Sequence, residues 1–459
     1  MKQYTRPVTR ASPDIQTKGD AGFEKNKRIS KAVRFILHAL GRPYLSLFIG
    51  KARIELENGD RLFSAFERAL SKKSRLILAF SHPYGQEPQI LMWFTLFRLK
   101  QAAKKGGFSF ALPPLLRFVH GYEVLRWGGL AARLVLPCIG GLTVYHAKVN
   151  SSSMERIYRA LIDGPFPIAI APEGLVSYFS RTVPSLEQGA VRIGFIAAKR
   201  LSAGGIQGKG DGDIPPIEIL PLGIRYEFDE KGRRSMMRLL EKTEECLGLQ
   251  NSGEELGKRL EKCLNFLLEK NEEWYELMHE GSLEERVNRL METALERAEQ
   301  ILGVKHRDGK RTARFHRLRQ IYWDRIYLPG KTSLKAFTRL ERAIVDRKAG
   351  EAWYADRHLE MVDFVWCLPS VPIPTEASPL HEQVDYTQNL WDFANRTMGG
   401  ILGDRVNIPP CRVVLTPSNS INLSDSLPAY KADKRATIQA VMDRLSAELL
   451  TVYSEDKEA

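Results

Sequence analysis

A chain of 459 residues that is 43% hydrophobic and 27% charged has the makeup of a folded protein; disorder needs a poorer apolar content, and a polytopic membrane protein needs longer apolar runs. The formal charge of +13 is unevenly spread: residues 1–50 carry ten Lys and Arg against three acids, residues 305–348 fourteen against four, and the rest sums to −4. A near-neutral body with two basic patches attracts phosphate-bearing partners, either a lipid surface or a nucleic acid. The longest stretch without a charged residue, fourteen residues from Leu134 to Ala147, contains Pro137 and two glycines. It is too short for a spanning helix of roughly 20 apolar residues. The N-terminus lacks a signal-peptide pattern. Five scattered cysteines with no Cys-x-x-Cys spacing argue for reduced thiols in a cytoplasmic setting and against a zinc site.

Residues 1–21 are polar, basic and aperiodic, as in a tail. From Phe23 to Gly50 a helical pattern sets Val33, Ile36, Leu37, Leu40, Leu45, Leu47 and Phe48 among Lys27, Arg28, Lys31, Arg34 and Arg42. Such a helix suits the plane of a membrane surface, or else packs on a domain. Residues 51–228 alternate helices with short apolar strands. The strands are Arg75–Phe80, Phe166–Ala171 and Ile217–Leu222, with helices at about 88–103, 151–163 and 187–201. This predicts an α/β fold with a largely parallel sheet flanked by helices, in which functional groups gather at strand ends.

Residues 229–400 change to long charged helices, a helical insertion. Ser252-Gly-Glu-Glu255 and Ser282-Leu-Glu-Glu285 both fit a capping box. Residues 401–459 return with a strand at Arg412–Leu415 and a helix from Lys431 to Val452. The spacing shows no internal repeat.

The first strand runs into Ser81-His82-Pro83-Tyr84-Gly85-Gln86-Glu87. A His at a strand end with a carboxylate five positions on fits a general base and its orienting partner; the plain alternative is a surface His. A second strand ends in Pro172-Glu173-Gly174, where Gly174 permits unusual backbone angles. The plain alternative is a tight turn with a solvated Glu. Glycines around Lys209 fail the phosphate-loop spacing and read as a surface loop.

In order and strand context these segments resemble the glycerolipid acyltransferase family, which includes lysophosphatidate and glycerol-3-phosphate acyltransferases. That family carries His-x-x-x-x-Asp after a strand, then Gly-x-x-Phe-Ile-x-Arg, then Phe-Pro-Glu-Gly-Thr-Arg-Ser, then an apolar strand with a central proline. Here His82 to Glu87, Gly140 to His146, Ala171 to Ser177 and Leu220-Pro-Leu222 stand in that order. The resemblance covers about 75–228 and resumes at 411–452. It implies a fatty acyl transfer from acyl-CoA or acyl carrier protein to the hydroxyl of a lysophospholipid or glycerol phosphate. By that resemblance His82 is the general base, Glu87 orients it, and Glu173 and Gly174 shape the acceptor pocket. No cofactor is implied beyond the acyl donor.

The departures are specific. Glu87 stands where the family has Asp, His146 stands at the second motif's Arg, and Leu175-Val176 replace the Thr-Arg of the third. Phosphate binding then falls to Lys148, Arg181 or Arg225, or the acceptor headgroup differs. The rival reading is a non-catalytic lipid-surface or protein-interaction module. The basic stretch sets Arg311, Arg314, Arg317, Arg319 and Arg325 among Phe315, Tyr322, Trp323 and Tyr327. It could stack on single-stranded nucleic acid, lie on anionic lipid, or pack its aromatics inward. The motif set favours lipid over nucleic acid, which makes a peripheral membrane protein the expectation.

Overall fold

The structure is a computed structural model describing residues 9–13, 31–124, 135–145, 151–174, 176, 178–203, 214–250, 253–306, 309–331, 333–400 and 405–454. His146, Lys148, the residues 204–212 expected as a surface loop and Ser252 lie outside the described residues; the helix after Ser252 begins at Leu256 with Glu255 as its N-cap, so the first expected capping box does not open it. The strands are β1 (Ser12–Pro13), β2 (Arg53–Leu56), β3 (Arg75–Phe80), β4 (Arg117–Gly121), β5 (Leu142–Val144), β6 (Ile168–Ile170), β7 (Ile217–Glu227), β8 (Tyr327–Leu328), β9 (Arg412–Pro417) and β10 (Ile421–Asn422). Eight of them form one mostly parallel sheet in the order β2-β9-β7-β3-β6-β4-β5, with β10 antiparallel on β7. The expected α/β class is what the fold shows.

Helices cover both faces of the sheet. They are α1 (Lys31–Ile49), α2 (Gly59–Leu70), α3 (Glu87–Phe94), α4 (Lys100–Lys105), α5 (Ser151–Ile162) and α6 (Gly189–Ser202). A π-helical turn, Thr95–Leu99, joins α3 to α4. Strand β3 is buried at all six positions, and its two-residue period divides it between two cores. Leu76, Leu78 and Phe80 join Phe66, Ile90 and Phe94 on the α2–α3 face, whereas Ile77 and Ala79 join Ile157, Val191 and Phe195 on the α5–α6 face. A central parallel strand must be apolar on both sides, so its continuous hydrophobic run is readable in sequence. No helix among the described residues is long and apolar enough to cross a membrane.

The long charged helices are α7 (Glu230–Leu247), α8 (Leu256–Tyr275), α9 (Leu283–Leu302), α10 (Arg311–Ile326), α11 (Arg339–Val365) and α12 (Leu380–Thr397). They bury their own core around Leu264, Leu268, Leu290, Leu295, Phe315 and Leu359. The chain ends in α13 (Leu427–Ala432) and α14 (Lys434–Ser454). The Ser282 capping box forms as expected, and a second one forms at Thr338–Glu341.

Helices α7 to α10 are stapled by one device used three times, a repeat that the reading of the sequence missed. Glu244, Glu272 and Glu299 each stand three residues before the end of their helix, and each accepts a forked bond from Arg259, Arg286 and Arg314 of the next helix at 2.7–2.9 Å. The backbone repeats as well. A left-handed residue (Gly248, Glu276, Gly303) follows each helix. The next amide (Leu249, Leu277, Val304) then bonds back to the carbonyl of the same glutamate, as in a Schellman closure. Around the glutamates the sequence reads Leu239-Leu-Glu-Lys-Thr-Glu244, Leu267-Leu-Glu-Lys-Asn-Glu272 and Ala294-Leu-Glu-Arg-Ala-Glu299.

The basic stretch at 305–348 takes part in this network. Arg314 and Arg317 bind Glu299, Arg319 binds Asp363 with its guanidinium over Phe315, and Arg325 binds the carbonyl of Leu302. Phe315 and Leu318 are fully buried. Of the three readings open in the sequence, inward packing describes this helix: Arg314, Arg317 and Arg319 serve ion pairs within the fold, and Arg311 and Arg325 bond Asn288 and the Leu302 carbonyl. A buried pair is costly to break from one side, because the remaining charge keeps its desolvation cost. Glu272→Ala should therefore destabilise the protein by about 3–5 kcal/mol in urea unfolding, whereas Glu351→Ala, which breaks an exposed i,i+4 pair with Arg347, should change it by about 0.5 kcal/mol or less. Equal small effects would contradict the staple account.

Candidate active site

The pairing of the parallel strands brings the two candidate motifs together. Ala79 of β3 lies opposite Ile170 of β6 and Pro221 of β7, so His82 and Glu173 each follow that line by three residues. Ser81, the first residue past β3, donates its N–H to the carbonyl of Leu222 and accepts the N–H of Ile224 with its Oγ. His82 follows it.

The loop then folds back on Glu87, the first residue of α3. Gly85 takes φ +91°, a region open to glycine at no steric cost. The N–H groups of Tyr84 and Gly85 thereby converge on the carboxylate, each at 2.9 Å. Tyr226 of β7 donates its hydroxyl at 2.6 Å, and His82 Nδ1 lies 2.7 Å from Oε2. Glu87 is fully buried, yet both its oxygens are met. The methylene that Glu has over Asp is absorbed because the donors come to it.

Burial is the largest influence on both partners, and it opposes charge on each. It is outweighed at Glu87 by the bond and charge of His82 and the bond from Tyr226, so the carboxyl stays below its usual range. At His82 the bond and charge of Glu87 likewise outweigh burial and hold the imidazole above its usual value. A carboxylate at Nδ1 fixes the tautomer with Nε2 unprotonated, the form that accepts a proton. The His82 side chain is 20% exposed, against none for Glu87.

Glu173 has the opposite character. Its Oε1 accepts the backbone N–H of His82 at 3.1 Å, while Oε2 is buried with no hydrogen-bond partner. Burial pushes its carboxyl up to about 8, against the pull of His82. At neutral pH it carries its proton. Gly174 turns the chain with φ +71°, and a Cβ there would meet Glu187 Cγ at 2.8 Å. Both conditions favour glycine at this turn.

The remaining candidates part company. Arg225 lies on the face of β7 opposite Tyr226; it donates to the carbonyl of Val452 and pairs with Glu57. It is thus a structural link to α14 and not part of the cluster. Arg181 is partly buried beside Ser180 on the Glu173 loop. Residues that the sequence reading missed complete the site: Tyr226, and Asp385 of α12, which bonds Tyr84 and Ser180. Tyr84 sat inside the motif, but nothing local marks Asp385. Among the described residues, no group of three or more His, Cys, Asp or Glu could hold a metal ion.

No model of a known protein family matches this chain, and no curated protein matches it in sequence. The geometry is that of a carboxylate-oriented imidazole at the C-terminal edge of a parallel sheet, suited to moving one proton.

Glu173 also makes a pH prediction. Its pKa rises from 4.5 to about 8 on folding, so the stability of its neutral form is fully present below about 4.5 and is lost as pH rises through about 8. Glu173→Gln fixes the neutral state. The Tm of the variant relative to wild type should climb between about pH 4.5 and pH 8 and level off above that; a constant difference would contradict this.

Proposed function

We propose that the protein is an acyltransferase that moves a fatty acyl group from acyl-CoA or acyl carrier protein to the hydroxyl of a lysophospholipid or glycerol phosphate. The observation that carries this reading is the 2.7 Å contact between His82 Nδ1 and Glu87 Oε2, set within the motif order His82, Gly140, Glu173, Pro221. His82 Nε2 takes the proton of the acceptor hydroxyl as its oxygen attacks the thioester carbonyl carbon. The tetrahedral oxyanion forms, the C–S bond breaks, and the leaving thiolate takes the proton back from Nε2. Glu87 stabilises the imidazolium in between. The rival reading, a non-catalytic lipid-surface or protein-interaction module, draws on His146 and Leu175-Val176. The closed His82–Glu87 pair favours the catalytic one.

Of the cations proposed to hold an acceptor phosphate, Arg225 is committed to Glu57 and Val452, and Lys148 lies outside the described residues. Arg181 is the one of the three that stands on the loop after Glu173.

The same reading takes an anionic membrane surface as partner. Helix α1 packs Leu45 and Ile49 inward and exposes Phe35, Ile36, Leu40, Tyr44 and Leu47 on another side, Phe35 and Leu47 by more than 70%. Exposed Lys31 and Arg34 stand on the same helix. An apolar stripe with cations suits the headgroup boundary of anionic lipid.

Two measurements test the proposal. His82→Ala should lower acyl transfer from radiolabelled acyl-CoA or acyl carrier protein by roughly 100-fold or more; full activity would sink the assignment. Changing Phe35, Leu40 and Leu47 to Asp should weaken sedimentation with phosphatidylglycerol vesicles by at least about tenfold. Unchanged binding would place the membrane contact elsewhere.

A further inference from the structure

We propose that Asp385, on a helix some three hundred residues from the motif in sequence, is the positioning residue of the His82–Glu87 pair. This inference rests on the reading of that pair as a proton-transfer site.

Asp385 is 2% exposed, and its two oxygens face two different loops. Oδ1 accepts the hydroxyl of Tyr84, two residues after His82. Oδ2 accepts both the N–H and the hydroxyl of Ser180, at 2.7 and 2.8 Å, on the loop that follows Glu173. Tyr84 is thus held at three points. Its amide bonds Glu87, its ring lies 4.5 Å from that of Tyr226, and its hydroxyl meets Asp385. One carboxylate ties the loop of the base to the loop of the buried acid.

The rest of that helix face repeats the theme. Asn389, one turn on, donates Nδ2 to the carbonyl of Tyr178 at 2.9 Å, and the Tyr178 amide donates to the carbonyl of Pro83 at 2.8 Å. Asp392 pairs with Arg405, whose guanidinium lies over the Tyr178 ring. Asp385, Asn389 and Asp392 follow i, i+4, i+7 spacing, one side of a helix. Each is only 2% exposed. Well-packed apolar residues on that face would be neutral or stabilising, so stability does not explain why three polar side chains stand there. Holding two loops in register does. Loss of the Asp385 bonds frees Tyr84, and with it an amide that fixes Glu87 against His82.

The test reads the imidazole directly. Protein labelled with 13C-histidine, with the His82 resonance assigned from a His82→Gln variant, is titrated by NMR as wild type, Asp385→Asn, Tyr84→Phe and Glu272→Gln. In Asp385→Asn the His82 pKa should fall toward the ordinary 6.5, and in Tyr84→Phe it should fall by less. Glu272→Gln, which weakens a staple far from the site, should lower the Tm and leave the His82 pKa in place. In acyl-transfer assays Asp385→Asn should lower kcat by about 10- to 100-fold while the acyl-donor KM stays within about twofold. A folded Asp385→Asn with unchanged His82 titration and kcat would overturn the proposal. If that variant does not fold, an unchanged titration in Tyr84→Phe overturns it instead. The titration needs no substrate. A wild-type protein inert toward every acyl donor would therefore count against the acyltransferase reading, while the NMR result would still decide the role of Asp385.

Discussion

The site depends on one buried carboxylate. Glu87 has no exposure to water, and an ionised carboxylate without partners in such a place would be prohibitively costly. It is kept ionised by donors from two backbone amides, a tyrosine hydroxyl and an imidazole. Satisfying those four bonds fixes the Gly85 turn, the start of α3, the side chain of Tyr226 on β7 and the tautomer of His82. The fold serves this by placing a fully buried strand in the middle of the sheet and ending it two residues before the imidazole.

A contrast of two acids gives the site its character. Glu87 opens α3 and Glu173 stands on the loop after β6, and both approach His82, yet four donors hold one ionised while the other keeps an orphan oxygen and a proton. Environments that push neighbouring carboxyls apart are typical of sites that move protons. Helix α12 closes the arrangement from the helical side, so the segment from 229 to 400 supplies a wall of the site as well as its own core.

Much of this was legible in the sequence where the information is local. The run Arg75–Phe80 is apolar because both faces of β3 are covered, and His82 and Glu87 are five residues apart. Strands β2, β4 and β5 were not foreseen: Arg53-Ile-Glu-Leu sits at the sheet edge, only half-buried, and Arg117 to Gly121 includes a histidine and an arginine within a strand. Asp385 could not be found, because its partners lie 301 and 205 positions away and its helix reads as another charged one. The Glu–Arg staples were hidden similarly. Each residue alone looks like solvated helix surface, and only the packing shows that both are buried. The basic run at 305–348 left inward packing open beside lipid and nucleic acid, because its carboxylate partners Glu299, Asp356 and Asp363 lie outside it.

The central claim is that Glu87 orients and charges His82 for proton transfer. The pH profile of kcat/KM for acyl transfer, compared between wild type and Glu87→Gln, tests it most directly. The account predicts an acidic limb above 6.5 in wild type; in the variant that limb should shift downward and the rate should fall by about 100-fold. A Glu87→Gln protein with the wild-type profile and rate would contradict it.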